Sequence, residues 1–198
     1  MFDHIFKPLS LRDLILPNRI CLLAHRTNFA RNGRLNDRHI AYYRRRAQGE
    51  CGCIIVGELA VHPDDRPWET LIEVHRPEVV ADFQKLTDTV HQFDTRIIAQ
   101  LNHYGFQSSG YVTRKAILGP SAVADIVFGE TCKPMEPEDM TQSRMLTARP
   151  PSGSSRADST ASKSTWDRNR CCASFYHPSA IIAAMNMAAA WRTGCVFL

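Results

Sequence analysis

The chain has 198 residues, 44% hydrophobic and 22% charged, a composition that suits one soluble globular domain and excludes a fibrous or wholly disordered chain. Its net charge of +4 is mildly basic, but Arg and Lys are spread along the sequence with no basic arm interleaved with aromatics, so no nucleic-acid partner is expected. Met1-Phe-Asp-His-Ile-Phe-Lys-Pro-Leu-Ser10 carries charges where a signal peptide needs a continuous apolar stretch, and no later run is long enough to span a bilayer, so the expectation is a cytoplasmic protein with no membrane partner.

In chain order, Arg19-Ile-Cys-Leu-Leu-Ala24 is an apolar run after the turn residues Pro17 and Asn18 and predicts a first strand. Asp37 to Gln48 predicts a helix with Ile40 and Tyr43 inward and Arg44, Arg45 and Arg46 mostly in solvent. Cys53-Ile-Ile-Val-Gly57 predicts a second strand, followed by a Pro-rich acidic loop through Pro67. Pro77 to Phe93 repeats the helical pattern, with Val80, Phe83, Leu86 or Thr87, and Val90 inward, and Ile97 to Leu101 predicts a third strand. Strands without polar alternation, separated by helices, imply an α/β fold with a parallel sheet covered by helices, either doubly wound or a closed βα barrel.

In both architectures ligands gather at the carboxyl ends of the strands. All three runs end there in polar groups: Ala24-His-Arg-Thr-Asn28, Gly57-Glu-Leu-Ala-Val-His62, and Gln100-Leu-Asn-His-Tyr-Gly105. A single such residue more often caps a helix or bonds loop backbone, but the repetition across three strands points to a site. Neither G-x-G-x-x-G nor G-x-x-x-x-G-K-[ST] follows any strand, which removes the main support for a Rossmann or P-loop fold and favours the barrel. The seven cysteines have no zinc or iron-sulfur spacing, and Cys51 and Cys53 read as buried, inert thiols, so no metal site is expected.

Leu16-Pro-Asn-Arg-Ile20 after Phe6-Lys-Pro-Leu9, then Ala24-His-Arg-Thr-Asn28, Glu58, Gln100-Leu-Asn-His-Tyr-Gly105, Gly119-Pro-Ser-Ala122 and Pro134-Met-Glu-Pro-Glu-Asp-Met140 together resemble the N-terminal part of the Old Yellow Enzyme family of NADH:flavin oxidoreductases. The closest likeness is to the branch with 2,4-dienoyl-CoA reductase, trimethylamine dehydrogenase and the mycofactocin-associated oxidoreductases. The resemblance covers residues 1–140 and implies the N-terminal portion of a TIM (β/α)8 barrel with FMN at the carboxyl ends of its strands. It implies that Ala24, His25 and Thr27 line the flavin, that Glu58 lies beside it, and that Gln100 bonds the polar edge of the isoalloxazine. It gives His103 a packing and orienting role and names no catalytic residue in this chain. The implied activity is hydride transfer from NAD(P)H through FMN to a small molecule, an activated alkene or enoyl thioester, or oxidation of an amine.

From Thr141 to Leu198 the rhythm stops, and the stretch 141–170 is rich in Ser, Thr, Arg and Pro, which predicts an irregular, disordered tail. Met and Trp have single codons, so part of the DNA beneath Ala183-Ala-Met-Asn-Met-Ala-Ala-Ala-Trp191 can be reconstructed. Read one nucleotide back, it forces Glu, then Tyr or His, then Gly, and permits Asp-Glu-Tyr-Gly-Gly-Ser-Leu-Glu-Asn-Arg, a signature segment of the family. The same operation on Arg170-Cys-Cys-Ala-Ser-Phe-Tyr-His-Pro178 permits a second family segment in the correct order. The expectation is that residues from about Thr141 are a frameshifted translation, leaving an incomplete barrel with open sheet edges and without the later strands. Iron-sulfur clusters of some full-length relatives would have no ligands here. The rivals to an active enzyme are a non-catalytic, truncated remnant and a small adaptor that docks through Ile181 to Trp191.

Overall fold

The computed structural model describes residues 3–11, 14–141 and the backbone of 195–197. Its first helix starts where the sequence supplies a cap. The Asn36 side chain accepts the backbone N–H groups of Arg38 and His39, and His39 Nδ1 accepts the Asn36 N–H in return, so α1 (Asp37–Gln48) begins with its end donors satisfied. Arg45 and Arg46 in the last turn complement the negative end of the helix dipole, and Gly49 follows as the C-cap. The helix buries His39, Tyr43 and Ala47, while Ile40 is only half-buried and Arg44 and Arg45 are exposed.

Before it lie a hairpin, β1 (Leu9–Leu11) with β2 (Leu14–Leu16), and the short strand β3 (Cys21–Leu22). After it come β4 (Cys53–Ala60), β5 (Ile72–Glu73), α2 (Val79–Val90) and β6 (Arg96–Asn102). The chain continues through a 3-10 turn at Gly105–Gln107, α3 (Gly110–Thr113), β7 (Leu118–Gly119) and β8 (Lys133–Pro134), and the described residues end with β9 (Cys195–Phe197). The main sheet has the order β3-β4-β6-β9 and every pairing in it is parallel. Leu59 pairs with both Leu101 and Ile72, so β5 must sit on the edge of β4 opposite β6, extending the line begun by β3.

The two faces of these strands are covered differently. Ile54, Val56, Leu59, Ile97, Ala99 and Leu101 meet Tyr43 and Ala47 of α1 and Phe83, Leu86 and Val90 of α2 in the main apolar cluster. Cys53 and Ile98 point the other way and pack with Leu16, Leu14 and Leu9, so the hairpin closes the opposite face near the amino ends of the strands. Burying a Leu or Ile side chain this way contributes roughly 1.5–3 kcal/mol, which makes the β4 and β6 runs the energetic centre of the fold.

Three expectations need correction. The first strand is shorter than Arg19 to Ala24, because only Cys21 and Leu22 ladder with β4 before the chain rejoins it at an isolated Arg26 to Gly57 bridge. In α2 it is Val79, fully buried, that leads the inward face, and Val80 is half-buried, since the helix starts at Val79 and its face turns accordingly. The expected open edge of β6 is occupied by β9, with Ile97, Ile98 and Ala99 opposite Cys195, Val196 and Phe197, as unpaired edge N–H and C=O groups favour. The adaptor segment Ile181 to Trp191 and the rest of 142–194 lie outside the described residues.

Candidate functional site

At the carboxyl end of the sheet, β4 and β6 run in step from Cys53 opposite Arg96 to Val56 opposite Ala99, then shift register before Leu59 meets Leu101. Gly57 and Glu58 therefore stand opposite the single residue Gln100, a bulge that re-aims side chains where pairing ends. Gly57 is the contact point of all three strands. A Cβ placed on it would lie 2.5 Å from Gln100 Oε1 and 2.7 Å from Ala24 Cβ, distances at which one of them must move. Glycine here is what lets the Gln100 amide and Ala24 close over the β4 backbone. Gln100 is half-buried, and its amide makes no hydrogen bond among the described residues.

Thr27 is set from α1. Its Oγ1 lies 3.3 Å from His39 Nε2. His39 Nδ1 lies 3.2 Å from both the backbone nitrogen and the Oδ1 of Asn36, contacts that ask for opposite tautomers; in the tautomer of the capping box Nδ1 accepts the N–H, and Nε2 then donates to Thr27 and leaves the threonine hydroxyl proton for another acceptor. Burial, and secondarily the Arg38 charge, lowers the His39 pKa to about 4, so the ring is neutral near pH 7. His25 turns the other way. Its ring is exposed, packs edge-on against Tyr42 and bonds the Tyr42 hydroxyl through Nε2 at 2.8 Å.

Glu58 and His103 belong to a second group. The Tyr104 hydroxyl donates to Glu58 Oε2, and burial followed by that carboxylate pushes the tyrosine's pKa up. The buried Asp65 carboxylate accepts the Tyr104 N–H and lies 3.1 Å from His103 Nδ1. The Gly105 N–H also approaches that nitrogen, at 3.1 Å, and the two contacts ask for opposite tautomers; the buried carboxylate favours the proton on Nδ1. The His103 ring meets His62 edge-on at 5.9 Å, and burial, with His103 beside it, holds the His62 pKa below its ordinary value. His62 is thus part of this cluster, whereas His75 and His91 stand apart from Gln100 and belong to the structural shell, His75 beside Glu73 at 3.4 Å.

Ala24, Thr27, Gln100 and Glu58 all emerge from strand ends on one side of the sheet, with Ala24 and Gln100 meeting over Gly57 and Glu58 next to it. His25 and His103 are held away from that meeting point by Tyr42 and Asp65. Sequence reasoning missed Asp65, Tyr104, Arg26 and Trp68. Arg26 lies flat on Trp68, with its guanidinium carbon 3.5 Å from the ring centre, and Trp68 packs against Tyr104 and Phe128. A tryptophan inside an otherwise polar, Pro-rich loop was the one signal that could have drawn attention to it.

The sequence profile of the NADH:flavin oxidoreductase / NADH oxidase family matches residues 4–148. The N,N-dimethylglycine/sarcosine dehydrogenase of Chromohalobacter salexigens is 31% identical over 144 residues, covering 70% of this chain and 21% of that protein. The NADPH dehydrogenase of Bacillus subtilis is 32% identical over 126 residues, covering 63% of this chain and 36% of that protein. The chain therefore spans about a fifth to about a third of the length of these relatives. Among solved structures, the Old Yellow Enzyme from Pichia sp. AKU4542 superposes with a TM-score of 0.65 at 19% identity, over 73% of this chain and 41% of that one. The βα units seen here are accordingly part of an Old Yellow Enzyme type TIM barrel, with the Gln100 amide on the carboxyl-end face such barrels use for ligands. Among the described residues no helix is long and apolar enough to cross a membrane. With the profile matching residues 4–148, well over half of its length, the chain belongs to the NADH:flavin oxidoreductase / NADH oxidase family.

Proposed function

We propose that this chain is the flavin-contacting amino-terminal portion of an FMN-dependent NAD(P)H oxidoreductase that acts on a small molecule in the cytoplasm. The observation that carries the reading is the Gln100 amide, which stands over Gly57 beside Ala24 without a hydrogen-bond partner among the described residues. The residues fit the ring of FMN. An amide offers a donor and an acceptor to the alternating polar edge of an isoalloxazine, and the Thr27 hydroxyl, its oxygen engaged by His39, has a proton left to donate. Ala24 supplies an apolar floor next to them, and the Glu58 carboxylate is held by Tyr104 at the rim.

FMN, when bound, supplies hydride transfer between a reduced pyridine nucleotide and an organic substrate, or the oxidation of an amine. The protein's part is to orient that ring and keep its polar edge bonded. Substrates of the alkene, enoyl thioester or amine class are consistent with the similar proteins, one named for N,N-dimethylglycine and sarcosine and one for NADPH. Titrating the purified chain with FMN tests the reading: flavin absorbance should co-elute with the protein on gel filtration. Gln100→Ala should weaken that binding about tenfold, equivalent to about 1.4 kcal/mol. Absence of FMN binding by the unaltered chain, or equal binding by the variant, would refute it.

A second reading, a non-catalytic remnant whose frame departs from the family at about Thr141, is favoured by one observation. The family match ends at residue 148 while the chain runs to 198. Resequencing the gene across the codons for Met140 to Leu198 decides it: an inserted or deleted base that vanishes removes this reading, and one that persists supports it.

A further inference from the structure

A cation at the carboxyl end of the sheet has no anion among the described residues. Arg26 leaves the first strand at its bridge to Gly57 and lays its guanidinium on Trp68 at 3.5 Å. Among the described residues it donates no hydrogen bond and forms no ion pair, and its Nε is sealed from solvent without a partner. Its two Nη groups stay in contact with solvent. Leaving a buried donor on a charged group unpaired is costly, so the arrangement is poised for a ligand that repairs it.

The surroundings narrow the ligand. The arginine of the Trp68 loop, Arg66, also has a sealed Nε, but its Nη1 is engaged by Glu73, so among the described residues Arg26 is the cation here left without a carboxylate. Nearby, the Glu58 carboxylate is held by Tyr104, and the Tyr104 ring in turn packs on Trp68 at 5.3 Å. One fixed positive fork near one carboxylate suits a singly charged, planar anion; a doubly charged phosphate would need a second cation. Trp68, Tyr104 and Phe128 add an aromatic wall for an apolar body. We propose that Arg26, held on Trp68, binds the carboxylate of a small substrate with an apolar body at the carboxyl-end face. This deepens the oxidoreductase reading above and rests on it for the word substrate, while the anion site stands on its own geometry.

The test uses the full chain and benzoate as probe, without FMN, with wild-type and variant affinities read by NMR from the Trp68 indole N–H resonance and, in the wild type, also from the Arg26 Nε–H resonance. That signal is identified by its loss in Arg26→Lys. Benzoate should shift it saturably, and Arg26→Gln should lower benzoate affinity at least tenfold while benzamide binds wild type and variant alike. Arg26→Lys, which keeps the charge but loses the fork, should fall between them. No saturable shift, or unchanged benzoate affinity in Arg26→Gln, overturns the proposal. Phenyl phosphate binding more tightly than benzoate also overturns it and gives Arg26 to a phosphate. If Arg26→Gln does not fold, the wild-type titration decides alone. Benzoate binding in a chain that takes up no FMN would sink the flavin reading and leave this site standing.

Discussion

At the amino ends of the strands the polar groups are knit to one another. Asn18 accepts the Ile20 N–H and donates to the Glu50 carbonyl, Gly52 and Cys53 donate to Ile20, and the buried Thr95 hydroxyl donates to Cys51. At the carboxyl ends of the same strands, among the described residues, Gln100 and Arg26 make no side-chain hydrogen bond and Glu58 is tied by a tyrosine hydroxyl. Both ends are built on the same buried ladder, so burial alone does not explain the contrast. Closed bonding at one end stabilises, and unspent bonding capacity at the other is what a ligand uses.

The comparison breaks most severely if the shared ladder fails. Leu59, fully buried in β4, should lose about 2–5 kcal/mol of stability on substitution by Ala, measured by chemical denaturation, and both ends should suffer together. Next in size is a pH effect that couples α1 to the ligand face. The His39 pKa is lowered to about 4 in the fold against 6.5 unfolded, so between those values the unfolded chain binds more protons. Stability should be fully present above pH 6.5 and decline as pH falls through the window, by on the order of 2–3 kcal/mol. His39→Gln should flatten that decline, and a decline of unchanged size in the variant would assign it elsewhere.

Asn18→Ala probes the closed end alone. It strands the Ile20 N–H and the Glu50 carbonyl and should cost about 1–2 kcal/mol, with FMN affinity unaltered. Gln100→Ala probes the open end and should leave stability within about 0.5 kcal/mol, because it deletes no side-chain hydrogen bond among the described residues, while FMN binding weakens. If Asn18→Ala weakens FMN binding and Gln100→Ala does not, the division between the two ends is wrong.

Much of this was legible from local signals. The helix Asp37–Gln48 was readable at both ends because Asn36 is a strong cap and the apolar spacing is helical. The runs at Cys53 and Ile97 read as buried strands because they lack polar alternation, and the polar residues ending them fell at the carboxyl end of the sheet for the same reason. The β1–β2 hairpin was missed, since its strands are three residues each and carry no periodicity long enough to read. The inward face of α2 was misplaced by one residue at its start, where Val79 and Val80 are equally apolar and only packing distinguishes them.

By itself, then, the sequence determined the order of strand and helix, the buried runs and the family, because capping, periodicity and motif order act over a few residues. Only the tertiary structure decided which polar groups are spent. Tyr104 takes Glu58 across 46 positions, Tyr42 takes His25 across 17, and Arg26 meets Trp68 but, among the described residues, no carboxylate. Such pairings depend on where a two-against-one bulge turns each side chain, and that geometry exists only once distant strands lie side by side.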